Sequence, residues 1–497
     1  MSIRIRGLRE FRGLRGFLVL SVLSVLCGQF VFVALVAQDR PDRSRPPALG
    51  PAPQLNLPPI QKRTLSNGLP VWVIETHEVP LVQANLVVLA GSGDDPAGKF
   101  GVASMTAAML DEGAGSRSAL ELADAVDFLG ANLTTGSTFD ESVVRLNVPA
   151  LRLGDALPLM ADVALHPTFP AQDLDRLRQE RLTALLQARD DPQAIAPRAF
   201  QRIVFGAMHR YGTSATGTEG TLKSFTPMDL RAFHDAFYQP SNATLVVVGD
   251  IKIDEVVPML EKGFGAWKST GAVRRPAVPT APQLTSGQIY LVDKPDAAQS
   301  VIQIGWVGVA RSTPDYFRIQ VTNTILGGSF SSRLNQNLRE EHGYAYGAGS
   351  GFDMRLSAGT FVARAAVQTD KTADALHEFF NELNGIGAKP VGNDELTRAK
   401  NYLALSFPGQ FETAGDLSQE IEDLIVYKLP DDYYQRYVPE IQKVTAADVQ
   451  KTATTYIQPP KFAVVVVGDR KVIEAGIRAL KLPQPIRVMT VDEALGP

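Results

Sequence analysis

The sequence predicts an α+β protein built from two homologous halves. The first observation is a Val-Val-Val-Gly-Asp segment that occurs twice, with its glycines, Gly249 and Gly468, 219 residues apart. The same offset relates three further marks, Gln239-Pro240 to Gln458-Pro459, Thr226 to Thr445 and Asp229 to Asp448. Chance rarely gives several matches at one offset, so the chain contains an internal repeat. The second observation is that strand-like runs are grouped instead of alternating strictly with helices, which favours α+β over a doubly wound sheet.

Local patterns predict the elements of the first half. The short apolar runs 71–74 and 84–90 are typical of strands, and the segments 101–110, 119–129 and 173–188 are typical of helices. A Thr-x-x-Asp pattern occurs in both copies of the repeat. It resembles a capping box with Asp in place of Glu, so each copy predicts a helix at that point. The Val-rich runs that end in Gly-Asp predict buried strands closed by a turn.

Composition divides the chain into six segments. A stretch rich in proline, with Gly271 inside it, separates the two halves and predicts a linker. The expected segments are a signal peptide or membrane anchor at 1–37, a Pro-rich spacer at 38–59, an N-terminal half at 60–267, a linker at 268–288, a C-terminal half at 289–482 and a tail at 483–497.

The first segment predicts export. Five arginines between Arg4 and Arg15 precede an apolar run at 17–37, which is the layout of a secretory signal. The run is also just long enough to span a bilayer, so a cleaved signal and a retained anchor both stay open. Either one exports the body of the protein. The expected location is therefore the periplasm, with the inner membrane as the anchoring site if the segment is kept.

The overall composition excludes several classes of protein. Among 497 residues, 45% are hydrophobic and 21% are charged, which is typical of globular proteins and not of disordered chains or multi-span transporters. The formal net charge is −4, so there is no basic excess for nucleic-acid binding. Cys27 is the only cysteine, which rules out a disulfide framework and a Cys-rich zinc site.

Several short motifs, in their order along the chain, resemble the pitrilysin/insulinase family of zinc peptidases, in particular its processing-peptidase-like members. The motifs are Leu65–Gly68, Gly91–Pro96, Gly212–Glu219, Tyr238–Asn242, the two Val-Val-Gly-Asp endings, Asp293–Pro295 and the stretch from Gly327-Gly328 to Tyr346. The resemblance implies that each half is a mixed, mostly antiparallel sheet covered by helices. It also implies that the whole chain forms half of a clamshell chamber.

The zinc motif of that family is degenerate in this chain. Active members carry His-x-x-Glu-His on a helix, where residues i and i+4 lie on one face and can bind the same ion. The corresponding positions here are Ser104, Ala107 and Ala108, and the resemblance puts Ala184 at the position of the third ligand. No two of the six histidines are three to five residues apart, so no helix-borne pair replaces the motif. We therefore expect no metal in this chain.

The second half retains a different part of the family's site. Active members have an Arg and a Tyr seven residues apart in the half opposite the zinc, and Arg339 and Tyr346 have this spacing. The resemblance implies that these two residues close over a peptide bond, with the phenol stabilising the charge that develops on its oxygen. From the residues alone, a surface ion pair of Arg339 with Glu340 or Glu341, and packing of Tyr346 on a strand, stays an open alternative.

These expectations combine into one hypothesis about function. The chain is predicted to be the exported, non-zinc-binding subunit of a heterodimeric metallopeptidase, inactive alone. It would supply Arg339 and Tyr346 in trans to a homologous partner that bears His-x-x-Glu-His and zinc, and the two chains would enclose unfolded peptides. The alternative is a catalytically inactive scaffold or peptide-binding protein. A third interpretation is a peptidase with an unrecognised site.

Overall fold

The computed structural model describes Gly50 and residues 55–496. The predicted export segment and most of the Pro-rich spacer lie outside the described residues. The first half contains eight strands: β1 (Gln61–Thr64), β2 (Pro70–Glu75), β3 (Leu81–Val88), β4 (Gly113–Ala114), β5 (Arg117–Ser118), β6 (Asn132–Ser137), β7 (Ser142–Pro149) and β8 (Ala243–Gly249). Its helices are α1 (Val102–Ala108), α2 (Ala119–Phe128), α3 (Leu153–Leu165), α4 (Ala171–Ala188), α5 (Pro192–Phe205), α6 (Glu219–Ser224), α7 (Pro227–Phe237) and α8 (Ile253–Phe264).

The second half is built from the same kinds of element. Its strands are β9 (Gln288–Asp293), β10 (Gln299–Val307), β11 (Ala345–Met354), β12 (Ala358–Gln368), β13 (Ala463–Gly468) and β14 (Ile486–Met489). Its helices are α9 (Tyr316–Leu326), α10 (Arg333–Asn335), which continues as a π-helical turn at Gln336–Glu341, α11 (Thr372–Ala388), α12 (Asn393–Ser406), α13 (Ala414–Val426), α14 (Tyr433–Lys443), α15 (Ala446–Tyr456), α16 (Arg470–Ala479) and α17 (Val491–Leu495).

The two large sheets have matching topologies. The first has the strand order β1-β2-β8-β3-β7-β6, and the second has the order β14-β9-β13-β10-β12-β11. In each sheet the central valine-rich strand, β8 or β13, pairs with one parallel neighbour and one antiparallel neighbour, and the remaining strands on the side of β3 or β10 are antiparallel. The predicted α+β class, with two related halves and mixed, mostly antiparallel sheets, is confirmed.

The repeated marks of the sequence occupy equivalent places in the two halves. Gly249 ends β8 and Gly468 ends β13, and both strands are buried along their whole length. Thr226 caps α7, and its backbone N–H donates in turn to Asp229 at 2.8 Å. Thr445 caps α15 through the same reciprocal bonds with Asp448. The capping boxes therefore form as predicted, because each satisfies N–H groups that a helix start leaves unpaired.

One helix from each half packs on the sheet of the other half. Helix α5, from the first half, packs on β10 and β13, where Ile195 and Phe200 share a buried apolar cluster with Val465. Helix α13, from the second half, packs on β3 and β8, where Ile421 shares a cluster with Val246. Both faces of each central strand are consequently covered, which explains why these strands are continuous valine runs and not alternating patterns.

The segment between the halves, which the structure describes in full, has no regular secondary structure, whereas the C-terminal segment contains a strand and a helix. Residues 265–287 contain no helix or strand within the described chain, in keeping with their prolines. The sequence analysis predicted a tail at 483–497, but residues 486–489 form the edge strand β14, which pairs in parallel with β9. Helix α17 then packs on α5. The apolar Ile486, Val488 and Met489 were too short a run to predict this pairing.

Within residues 55–496, no helix combines the length and the apolar character that crossing a membrane requires.

Candidate functional site

Helix α1 carries three of the four degenerate metal positions. Ser104 and Ala108 are half-buried, and Ala107 is fully buried. The three side chains offer one hydroxyl and two methyl groups. The spacing of Ser104 and Ala108 places them on one face of α1, as the i and i+4 positions of a helix require.

A buried ion pair fixes the start of α1. Asp95 accepts hydrogen bonds from the backbone N–H groups of Gly101, at 2.6 Å, and Ala103, at 2.9 Å. Arg210 donates from Nη2 to the same carboxylate at 2.7 Å, and both side chains are almost completely buried. Burial raises the pKa of Asp95 to about 6, while the charge of Arg210 opposes this rise. Gly101 itself has a φ of 99° and lies against the backbone of Gly217, where a Cβ would collide.

The fourth degenerate position lies on α4. Ala184 is exposed, and Arg181, one turn earlier, donates from Nη2 to the backbone carbonyl of Ser104 at 2.9 Å. This hydrogen bond brings α4 and α1 together at the position of the first family histidine. Glu180 is directed elsewhere, because its carboxylate accepts from Arg176 Nη1 at 3.0 Å.

These positions do not fit a zinc ion. Zinc in proteins takes nitrogen, sulfur or carboxylate oxygen ligands, whereas Ser104, Ala107, Ala108 and Ala184 supply a hydroxyl and three methyl groups. Across the described part of the chain, no group of three or more His, Cys, Asp or Glu side chains lies close enough together to hold a metal ion.

The structure brings Arg339 and Tyr346 together in the second half. Arg339 lies on the π-helical turn after α10, and Tyr346 lies near the start of the edge strand β11. The guanidinium carbon of Arg339 is 5.2 Å from the ring centre of Tyr346 and 4.6 Å from that of Phe330. A cation at this distance from two aromatic rings is attracted by their faces. Single π-helical turns of this kind are frequent at functional sites.

The alternative drawn from the residues alone, a surface ion pair with Tyr346 packed on a strand, holds for Arg339 but not for Tyr346. Arg339 Nε lies 3.2 Å from a carboxylate oxygen of Glu340, so the surface ion pair exists beside the aromatic contacts. Tyr346 is not packed on its strand, because 88% of it is exposed. Its hydroxyl is therefore free to meet a molecule that approaches from outside.

A cavity of about 770 Å³ opens beside the pair. Its floor is the face of the second sheet that carries Gln299, Gln303 and Arg364, and Phe330 and Tyr402 stand at its sides. The glycines at 327, 328, 347 and 349 line it without side chains. Among the described residues that line the cavity there are two arginines and no carboxylate. The described lining therefore offers hydrogen-bond donors from its arginine and amide side chains and no negative charge.

Three residues of the site region could not be identified from the sequence. Arg210 lies just before the Gly212–Glu219 motif and its partner Asp95 lies in the Gly91–Pro96 motif, so only the fold reveals that they meet. Arg181 carries no motif at all. The signal that could have found it is its place three residues before Ala184, on the same face of a helix.

Two family models match this chain. Residues 71–217 match the family model described as "Insulinase (Peptidase family M16)", and residues 224–403 match the one described as "Peptidase M16 inactive domain". An uncharacterized zinc protease of Mycobacterium leprae is 28% identical over 344 residues, which are 69% of this chain and 77% of that protein.

Two solved structures have the same fold. The crystal structure of a peptidase M16 inactive domain from Pseudomonas fluorescens has a TM-score of 0.77 and 25% identity, and the match covers 82% of this chain and 98% of that one. The periplasmic protease PqqL of Escherichia coli has a TM-score of 0.70 and 18% identity. That match covers 86% of this chain but only 50% of PqqL.

Proposed function

Because this chain belongs to the insulinase family of peptidases, family M16, we propose that it is the zinc-less subunit of an exported two-chain peptidase. It supplies Arg339 and Tyr346 to a homologous partner that carries His-x-x-Glu-His and binds zinc. The two chains together enclose an unfolded peptide. The observation that carries this proposal is the contact between Arg339 and the exposed Tyr346 at the mouth of a cavity.

The residues at the first-half site support the need for a partner. Ser104, Ala107, Ala108 and Ala184 cannot supply the ligands of a catalytic metal ion, so this chain does not provide the attacking nucleophile through them. The length of PqqL supports the same conclusion, since the fold of this chain corresponds to half of that protease. A second, separate chain would complete the enclosure.

The chemistry proposed for the second-half pair follows from its donors. When a peptide bond is attacked, negative charge builds on its carbonyl oxygen, and a hydrogen-bond donor held at that point lowers the barrier. The phenol of Tyr346 is such a donor. Arg339 holds the ring through its guanidinium face and has further N–H groups for the peptide backbone.

An edge strand near α1 supports unfolded peptides as the substrates. Strand β6 is the edge of the first sheet, packs beside α1 and pairs only with β7 among the described strands. An extended peptide that added to this edge would have its backbone paired and would run past the helix of the degenerate motif. Most backbone groups of a folded protein are already paired, so an unfolded segment is the better fit to this edge.

Export is part of the proposal. The basic and apolar pattern before residue 38 supports it, and the related PqqL is a periplasmic protease.

The test uses a zinc-bearing homologue from the same source genome, purified separately and mixed with this chain. Cleavage of a quenched fluorescent peptide is expected to need both chains, and Tyr346→Phe is expected to lower kcat about 100-fold without preventing complex formation on gel filtration. Tyr290→Phe is the matched control, because it also removes one phenolic hydroxyl but lies on β9. An unchanged kcat with Tyr346→Phe would refute the role of the phenol, and the chain would then be a scaffold or peptide-binding protein.

A further inference from the structure

A guanidinium group lies beside the first of the degenerate metal positions. Arg181 and Ala184 are one turn apart on α4 and share a face. Ser104 is the first of the degenerate positions, and Arg181 Nη2 donates to its backbone carbonyl at 2.9 Å. The side chain of Arg181 is half-buried, and this hydrogen bond shows that it spans the gap from α4 to α1.

This cation lacks the partners that arginines usually have. Burial lowers the pKa of Arg181, and no carboxylate of the described residues opposes that effect. Its Nη1 atom is buried without a hydrogen-bond partner among the described residues. By contrast, Arg176, on the same helix, contacts the carboxylates of Glu112 and Glu180.

A buried cation that has no ion-pair partner strongly repels a second cation placed nearby. Charges in partly buried surroundings are screened less than charges in water, so a divalent ion beside Ser104 would be repelled by the guanidinium. The loss of the ligands and the charge of Arg181 therefore both weaken the binding of a divalent metal ion. They are, however, separate causes and can be separated by substitution.

We propose that Arg181 replaces the metal as the fixed positive charge between α1 and α4, and that it excludes divalent cations independently of the missing ligands. The inference depends on the positions of the degenerate motif. It does not depend on the partner chain or on Tyr346, so it can fail while the proposed function holds.

The test restores the ligands with and without the arginine. One variant combines Ser104→His, Ala107→Glu, Ala108→His and Ala184→Glu, and the second adds Arg181→Met. After dialysis against Zn²⁺, elemental analysis is expected to find no stoichiometric zinc in the first variant and one zinc per chain in the second. Equal zinc contents in the two variants, whether one or none, would overturn the proposal.

A variant with fewer substitutions tests the same proposal if the variants above fail to fold. Ser104→His with Ala108→His creates only an i, i+4 histidine pair, and Co²⁺ binding is followed by visible absorption. Adding Arg181→Met is expected to lower the Kd for Co²⁺ about tenfold or more. Adding Arg176→Met instead removes an equal charge from the same helix and is expected to change the Kd less than about twofold. The same effect from both arginines would show that only net charge matters, which would contradict a specific role for Arg181.

Discussion

Arg210 and Asp95 form a buried ion pair, 2.7 Å apart, that anchors the helix of the degenerate metal positions. Asp95 ties down the first N–H groups of α1, and Arg210 also lies over the rings of Phe100 and Phe139, at 4.8 and 5.2 Å. The start of α1 is thus fixed by buried polar and aromatic contacts, although the helix carries no metal ligands. In the proposed two-chain peptidase, α1 would lie beside the edge strand β6, to which a peptide would add.

The buried pair is expected to be costly to break. Arg210→Met leaves the Asp95 carboxylate buried without its partner and should lower the free energy of unfolding by about 3–5 kcal/mol. Urea titration followed by circular dichroism measures this. Lys223→Met, which breaks the exposed pair with Glu219, should leave the free energy of unfolding nearly unchanged, because solvent screens that pair. If Arg210→Met and Asp95→Asn were each mild and additive in the double variant, the pair would not be the anchor described here.

The planar shape of the Arg339 guanidinium, in addition to its charge, is expected to contribute to peptide cleavage. Arg339→Lys keeps the charge but loses the flat group that lies near Phe330 and Tyr346, so we expect a loss of about 1 kcal/mol, or roughly fivefold in kcat/KM, in the mixture with the partner. Peptide cleavage at several substrate concentrations gives this value. Arg436→Lys, at an exposed site on α14, is the control. If the Arg339→Lys variant were as active as the unchanged chain, a simple point charge would be sufficient.

Stability is expected to fall as pH rises, because acidic groups are buried where α13 meets the first sheet. Burial, with a contribution from Glu422, raises the pKa of Glu141 to about 8, and burial also raises that of Asp423 to about 7. Between the ordinary pKa near 4.5 and the raised value, the folded chain binds more protons than the unfolded chain. The contribution of Glu141 to stability is therefore fully present below pH 4.5 and is lost as pH rises through about 8.

Substitution of Glu141 tests this assignment. Glu141→Gln should leave the free energy of unfolding unchanged at about pH 5 and raise it by about 1–3 kcal/mol at about pH 8, because the carboxylate oxygen Oε2 is buried without a partner among the described residues. Glu255→Gln, at an exposed position on α8, should have no effect at either pH. An equal stabilisation at the two pH values would assign the effect to packing and not to proton binding.

Much of the fold could be predicted from the sequence, because it depends on local and repeated signals. The offset between Gly249 and Gly468 predicted the two halves, and Thr226 and Thr445 predicted two helix starts. The exchange of α5 and α13 between the halves could not be predicted. An apolar helix face shows that the helix is buried, but it does not show which of two similar sheets covers it.

The candidate site was predicted unevenly for a similar reason. Arg339 and Tyr346 share a short motif, and the structure places them in contact. Arg181 and Ser104 are 77 residues apart, and Arg210 and Asp95 are 115 residues apart, so only tertiary packing reveals these contacts. These contacts are common hydrogen bonds and ion pairs, but the tertiary fold determines which residues form them.

The most direct test of the central claim is the initial rate of peptide cleavage by this chain alone, by the zinc-bearing homologue alone and by an equimolar mixture. We expect no cleavage above background from this chain and a rate for the mixture that exceeds that of either chain by about 100-fold, the contribution expected of an oxyanion donor. Cleavage by the isolated chain, abolished by a chelator and accompanied by one bound metal ion per molecule, would contradict the account.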